Sequence, residues 1–161
     1  MLGLKMVVYC EIKGHPLERF QLRSNMRERV IIKWGGGLIT DKSSLCTPDL
    51  GILELLAQTI STCQSHDVDV VLVHGAGSFG HLRAKHWRLN EGTLPDEVFE
   101  NDDVCSSQWE AVNQVRKEML QLNSHVCEAL VRTKLTPVFH PPHLWAKNTG
   151  PDVLRGLERF H

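Results

Sequence analysis

A chain of 161 residues with a formal net charge of −1 is of single-domain size and offers no basic field to hold nucleic acid or an anionic membrane surface. Its composition, 42% hydrophobic and 23% charged, is that of a soluble globular protein. No apolar run approaches the ~18 residues of a membrane span, the Met6 to Cys10 patch is too short for a signal-peptide core, and five scattered cysteines without a C-x-x-C pair argue against a disulfide framework or zinc knuckle. Reduced thiols in the cytoplasm are the expectation.

Residues 1–28 lack clear periodicity and form an N-terminal extension, either carrying a short strand (Leu4 to Ile12) or poorly ordered. From Arg29 the pattern sharpens. Arg29 to Trp34 is a short apolar run suited to a buried parallel strand, and Gly35-Gly36-Gly37 follows it as a turn. Thr47 and Pro48 offer an N-cap and a first helical position. Beyond them Leu50, Leu53, Ala57 and Ile60 recur three or four apart and give a helix one apolar face. Val68 to Val73 is the next strand, so the unit reads as strand, helix, parallel strand. A short helix is expected over Leu82 to Leu89, stopped at Asn90-Glu91-Gly92, and then an acidic surface loop or flap, Thr93 to Asp103. The spacing of Val112, Val115, Met119, Leu122, Val126 and Leu130 predicts a long helix over about Ser106 to Arg132. That stripe reads as core contact with the sheet rather than a dimer seam. Thr136 to His140 is a further strand, ended by Pro141 and Pro142, and Val153 to Phe160 offers a short amphipathic turn.

The chemistry concentrates where strands meet glycines. Gly75-Ala76-Gly77-Ser78-Phe79-Gly80 formally matches G-x-G-x-x-G between a strand and a helix. A dinucleotide site would need a carboxylate at the end of a following strand. That region is instead the acidic loop around Asp96 and Glu97, which disfavours an NAD reading. The alternative is a phosphate cradle, because glycines let backbone N–H groups face an anion without a Cβ in the way. His81 follows at the start of a helix, where it could donate to a phosphate oxygen; the plainer reading is a surface residue or cap. Lys33, in an apolar strand, is costly unless its ammonium reaches water or a charge, and the strand's carboxyl end is where α/β sheets bind ligands. Its plainer reading is snorkelling to solvent, and that of Lys42 a solvated loop lysine. Ser78 lacks the G-x-S-x-G setting of a nucleophile, and the histidines lack the i, i+4 pairing or cysteine partners of a metal site, so no metal ligands are assigned. Two phosphate-cradling turns with a lysine and a histidine point to phosphoryl transfer.

Two motifs carry a family resemblance. Val30 to Lys42 resembles the opening strand and loop of the amino-acid-kinase superfamily, and Val71 to His81, followed by Ala84-Lys85 and Leu89 to Gly92, is similar to its isopentenyl phosphate kinase branch. The histidine after Ser78-Phe79-Gly80 separates that branch, and the related fosfomycin kinases, from acetylglutamate and aspartate kinases. The resemblance covers about Val30 to His140 and implies an α/β fold, a three-layer αβα sandwich with a mainly parallel sheet. Residues 29–161 would be a partial kinase domain, its acceptor-binding half, lacking the C-terminal ATP-binding half. The implied reaction moves the ATP γ-phosphate onto isopentenyl phosphate to give isopentenyl diphosphate, a step of isoprenoid biosynthesis, with Mg²⁺ arriving on the nucleotide.

By position, the resemblance makes Lys33 and His81 catalytic. Lys33, Gly35, Gly36, Gly37 and Ala76 would contact ATP phosphates, while Lys42, Gly75, Gly80 and His81 would hold the acceptor. Trp34 stands in place of a usual leucine, Gly37 of a small polar residue and Ala76 of a glycine, the last tolerable at negative φ. Two classes of function stay open: a phosphate kinase, and a non-catalytic shortened form that binds a small phosphate or pairs with a full-length subunit. A homodimer is compatible with either. A sheet shortened after three or four strands leaves an unpaired edge, so the isolated chain is expected to be marginally stable or to aggregate.

Overall fold

The computed structural model describes residues 8–12, 28–64, 66, 68–95 and 99–145. Four strands, β1 (Val8–Ile12), β2 (Arg29–Trp34), β3 (Asp69–His74) and β4 (Pro137–His140), form one sheet in the order β2-β3-β1-β4. β2 and β3 are parallel, with Lys33 opposite Val73 and Trp34 opposite His74, so the two strands finish at the same level. β1 is antiparallel to both β3 and β4. Hence β2, β3 and β4 run one way and β1 runs against them, so that one of the three strand pairings is parallel within the α/β fold that the resemblance implied. Of the two readings of the N-terminal segment, the strand is the one observed, and it lies inside the sheet; its expected first residues, Leu4 to Val7, lie outside the described residues.

Two helices cover one sheet face. α2 (Leu50–Gln64) places Leu53, Ala57 and Ile60 in the core, beside Trp34, Val70 and Leu72 of the strands. Its start differs from expectation: Asp49, not Thr47, caps it, with the Asp49 carboxylate accepting from the Ile52 N–H at 3.0 Å. Thr47 is engaged elsewhere, its N–H donating to Ser78 Oγ at 3.3 Å, and Pro48 bridges to Thr40. The later start leaves Leu50 56% exposed, off the core face where it was expected. On the opposite sheet face Ile31 is 73% exposed.

α4 (Gln108–Arg132) is capped at both levels: Ser107 Oγ accepts from the Glu110 N–H at 3.3 Å, and Glu110 reaches back to the Ser106 N–H at 2.7 Å. The whole predicted stripe from Val112 to Leu130 is buried within the chain. Leu122, Val126 and Leu130 join the first core, whereas Val112, Val115 and Met119 build a second around Trp87. Each such side chain, fully removed from water, stabilises by about 1.5–3 kcal/mol. α3 (His81–His86) is shorter than the expected Leu82 to Leu89 helix. Trp87 turns into the second core, Arg88 takes a left-handed conformation with φ 47°, and a single 3₁₀ turn, Leu89–Glu91, runs to Gly92. The Trp87 carbonyl is held by the Gln108 carboxamide at 2.7 Å, which fixes this break. Pro142–Trp145 forms the short α5 after β4; the amphipathic turn expected at Val153 to Phe160 lies outside the described residues.

The acidic segment expected to be a surface flap is tied down at its far end. The Asp102 carboxylate accepts from the Trp87 indole at 2.9 Å and from the Val104 and Cys105 amides at 2.8 and 2.6 Å, and it pairs with Arg83. Arg83 also donates to Glu118 of α4 at 2.9 Å. Burial alone would raise the Asp102 pKa, but the indole, the two amides and the Arg83 charge outweigh it and hold the carboxyl well below the ordinary 3.8. His74, 1% exposed, shifts in the same acid-sensitive sense: burial pushes it below the ordinary 6.5, against smaller opposing effects of its contacts with Gly75 and Asn123.

A depressed folded-state pKa means that the unfolded chain binds more protons, so stability rises with pH. The His74 contribution is complete above 6.5 and lost below it, and the Asp102 contribution is complete above 3.8 and lost as pH falls further. Chemical denaturation across pH is therefore expected to show stability falling in two stages, with Asp102→Asn diminishing the lower one, to which Asp41, Glu91 and Glu110, also held below their ordinary values by hydrogen bonds, add. A stability profile flat down to pH 3 would contradict this.

Candidate phosphate-binding site

Two glycine loops leave the tips of β2 and β3 side by side. Gly75 opens the second loop, its N–H donating to the Trp34 carbonyl at 3.0 Å, so the loops are joined from their first residue. The Gly35 to Gly37 segment, expected as a plain turn, passes directly into a four-residue helix, α1 (Gly36–Ile39), with the Leu38 N–H closing onto the Gly35 carbonyl at 2.9 Å. The amides of Gly36 and Gly37 fall in its first turn, where no earlier helical carbonyl reaches them.

Contact between the loops is backbone on backbone. A Cβ on Gly36 would fall on the Gly77 amide nitrogen and 2.7 Å from its Cα, and one on Gly75 would lie 2.7 Å from the Gly36 nitrogen. Gly77 has φ +53°, and a side chain there would also meet Gly36 O at 2.5 Å. Gly35 differs: nothing lies within 4 Å of where its Cβ would be, so the first loop is open on that side.

The charged candidates stand around this pair. The Lys42 side chain lies across Gly37, its Nζ 3.2 Å from where a Cβ on Gly37 would sit, so glycine at that position makes room for the lysine stem. Lys33 is exposed on β2, two residues before Gly35 and on the strand face opposite buried Trp34. His81 is exposed at the start of α3, directly after the second loop. Gly80 is turned toward α4, where a Cβ would meet Val115 at 3.1 Å, so it sets the approach of α3 to that helix. Ala76 has φ −73°, where a methyl carries no strain, and it packs against the Trp87 core. The structure thus brings Gly35, Gly36, Gly37, Lys42, Gly75 and Gly77 into one assembly, with Lys33 and His81 at its two chain-wise margins.

Beneath the recess lies a polar layer that the sequence did not single out. His74 Nδ1 is 3.2 Å from the Gly75 carbonyl, and Nε2 is 3.4 Å from the Asn123 carboxamide oxygen of α4. Thr40 and Ser78, both buried, connect the loops to each other and to the Thr47 backbone. A threonine three residues behind a glycine run, and a serine inside one, were the available signals. Among the described residues there is no group of three or more His, Cys, Asp and Glu side chains placed to hold a metal ion, and no helix is long and apolar enough to cross a membrane.

The profile of the Amino acid kinase family matches residues 28–151, which takes in both loops and the long helix. The chain belongs to the amino acid kinase family. It is 32% identical over 114 residues to an isopentenyl phosphate kinase of Methanothermobacter thermautotrophicus, and 27% identical over 112 residues to one of Thermoplasma acidophilum. Each match covers 70% of this chain and 40% of the relative, so the chain spans well under half the length of these curated proteins.

Proposed function

We propose that this chain carries the acceptor side of a kinase that transfers the ATP γ-phosphate to isopentenyl phosphate, yielding isopentenyl diphosphate. The reading rests above all on the two glycine loops packed backbone to backbone at parallel strand tips, which puts the first turn of α1, with its Gly36 and Gly37 amides, beside the second loop. Its two isopentenyl phosphate kinase relatives supply the acceptor. Phosphoryl transfer asks a protein mainly for positioning and for positive charge around the transferred group. In this reading His81 holds the acceptor phosphate and Lys42, lying over Gly37, assists it. Lys33 stabilises charge on the group in flight, and the Gly35 to Gly37 amides face the donor phosphates.

Glycine-rich strand tips, open on the Gly35 side and with Lys42 across Gly37, suit the phosphates of ATP. When bound, ATP supplies the phosphoryl group, with Mg²⁺ accompanying its phosphates. The shape of the acceptor's organic tail is carried by the relatives and not by the recess, which reads only phosphate.

Incubating the purified chain with ATP, Mg²⁺ and isopentenyl phosphate, and titrating isopentenyl phosphate by calorimetry, tests the proposal. Binding of isopentenyl phosphate is the expected result for an acceptor side, and formation of the diphosphate would add that the chain itself holds ATP productively. Binding without product would identify a non-catalytic acceptor-binding form. Neither binding nor product from a folded chain would overturn the acceptor assignment.

A further inference from the structure

We propose that Thr40 is the positioning residue that locks the two glycine loops into a single recess, an inference that rests on the phosphate-site reading above. Thr40 ends α1 and is 4% exposed. Its hydroxyl donates to the Gly36 carbonyl at 2.8 Å and accepts from the Ser78 N–H at 3.0 Å. One oxygen therefore satisfies a backbone acceptor of the first loop and a backbone donor of the second. Only a hydroxyl can do both in that space, since a methyl neither donates nor accepts and a carboxylate cannot donate.

The second loop is shaped to admit this side chain. Gly77 adopts φ +53°, and a Cβ there would collide with Thr40 Oγ1 and come within 2.8 Å of its Cγ2. The absence of a side chain at Gly77 and the presence of one at Thr40 are thus two halves of one fit. With the Gly36 carbonyl and the Ser78 amide both held by Thr40, the first loop is tied to the second, which carries the Gly75 and Gly80 positions given above to the acceptor. Thr40 does this without touching substrate; it acts through the loops.

Three variants test the assignment by two independent readouts. Thr40→Val keeps the volume and removes the hydroxyl; it is expected to weaken isopentenyl phosphate binding by about tenfold or more, in line with the cost of misplacing positioned groups. It should also raise hydrogen exchange at the Ser78 amide by about tenfold. Thr40→Ser keeps the hydroxyl and loses a methyl; it is expected to lower the melting temperature yet bind within about threefold of the parent and keep the Ser78 amide protected. Thr40→Ala is expected to combine both losses. Wild-type affinity in Thr40→Val, or an affinity loss in Thr40→Ser equal to that in Thr40→Val, would overturn the proposal. A parent chain that binds no isopentenyl phosphate would sink the acceptor reading, while Ser78 exchange in Thr40→Val would still decide whether the hydroxyl ties the loops together.

Discussion

Gly36→Ala is expected to destabilise the chain by about 3 kcal/mol or more, at or beyond the usual upper range for overpacking, while Gly35→Ala is expected to be neutral or to stabilise by about 0.4–1 kcal/mol. The two glycines are neighbours in sequence, and the structure makes opposite demands on them. The Gly36 Cβ would fall on the Gly77 backbone, which cannot swing aside as a flexible side chain can. The Gly35 Cβ would meet nothing within 4 Å, and its φ of −62° suits any residue. Alanine is otherwise the better helix former by about 1 kcal/mol, so a loss at Gly36, inside α1, reports the loop-to-loop contact and not helix propensity. Denaturant midpoints of both variants provide the measurement. Equal stabilities would mean that the two loops do not press against each other.

The sheet and the long helix were legible in the sequence because burial writes directly into spacing. The stripe from Val112 to Leu130 repeats at helical intervals, and the runs around Ile32 and Leu72 are apolar on both sides of the strand. Helix starts were less legible, since they depend on partners distant in sequence. Thr47 has the chemistry of a cap, but Ser78, 31 residues away, takes up its amide and the role passes to Asp49. The early end of α3 has the same origin: Trp87 is drawn into a core made largely by α4, and Gln108 holds its carbonyl.

In the site, the residues that advertise phosphate chemistry were readable by type. The buried polar groups beneath them were not, because Thr40, Ser78, His74 and Asn123 each look ordinary until the loops are brought together. Ala76 shows the converse: an apparent departure from a glycine pattern becomes harmless once its φ of −73° and its packing against the second core are known.

The charged groups are expected to divide the work of binding and transfer. A charge-assisted hydrogen bond to phosphate contributes about 1.5–3 kcal/mol, so His81→Gln is expected to weaken isopentenyl phosphate binding about 10–100-fold. Lys33→Met is expected to leave acceptor affinity within about threefold but to slow phosphoryl transfer about 10²–10³-fold, as for removal of one group that stabilises developing charge. The melting temperatures of both variants should stay near that of the parent, since both side chains are exposed. Loss of affinity in Lys33→Met with none in His81→Gln would reverse the assigned roles.

The most direct measurement is a titration of the folded chain with isopentenyl phosphate, read at individual amides by NMR. If the loops form one phosphate site, the Gly75 and Gly80 amides and the His81 ring shift together with one shared dissociation constant that weakens in His81→Gln, and the Gly35, Gly36 and Gly37 amides shift when ATP is then added. Signals that move in only one loop after both additions, or in neither while the fold stays intact, would contradict it.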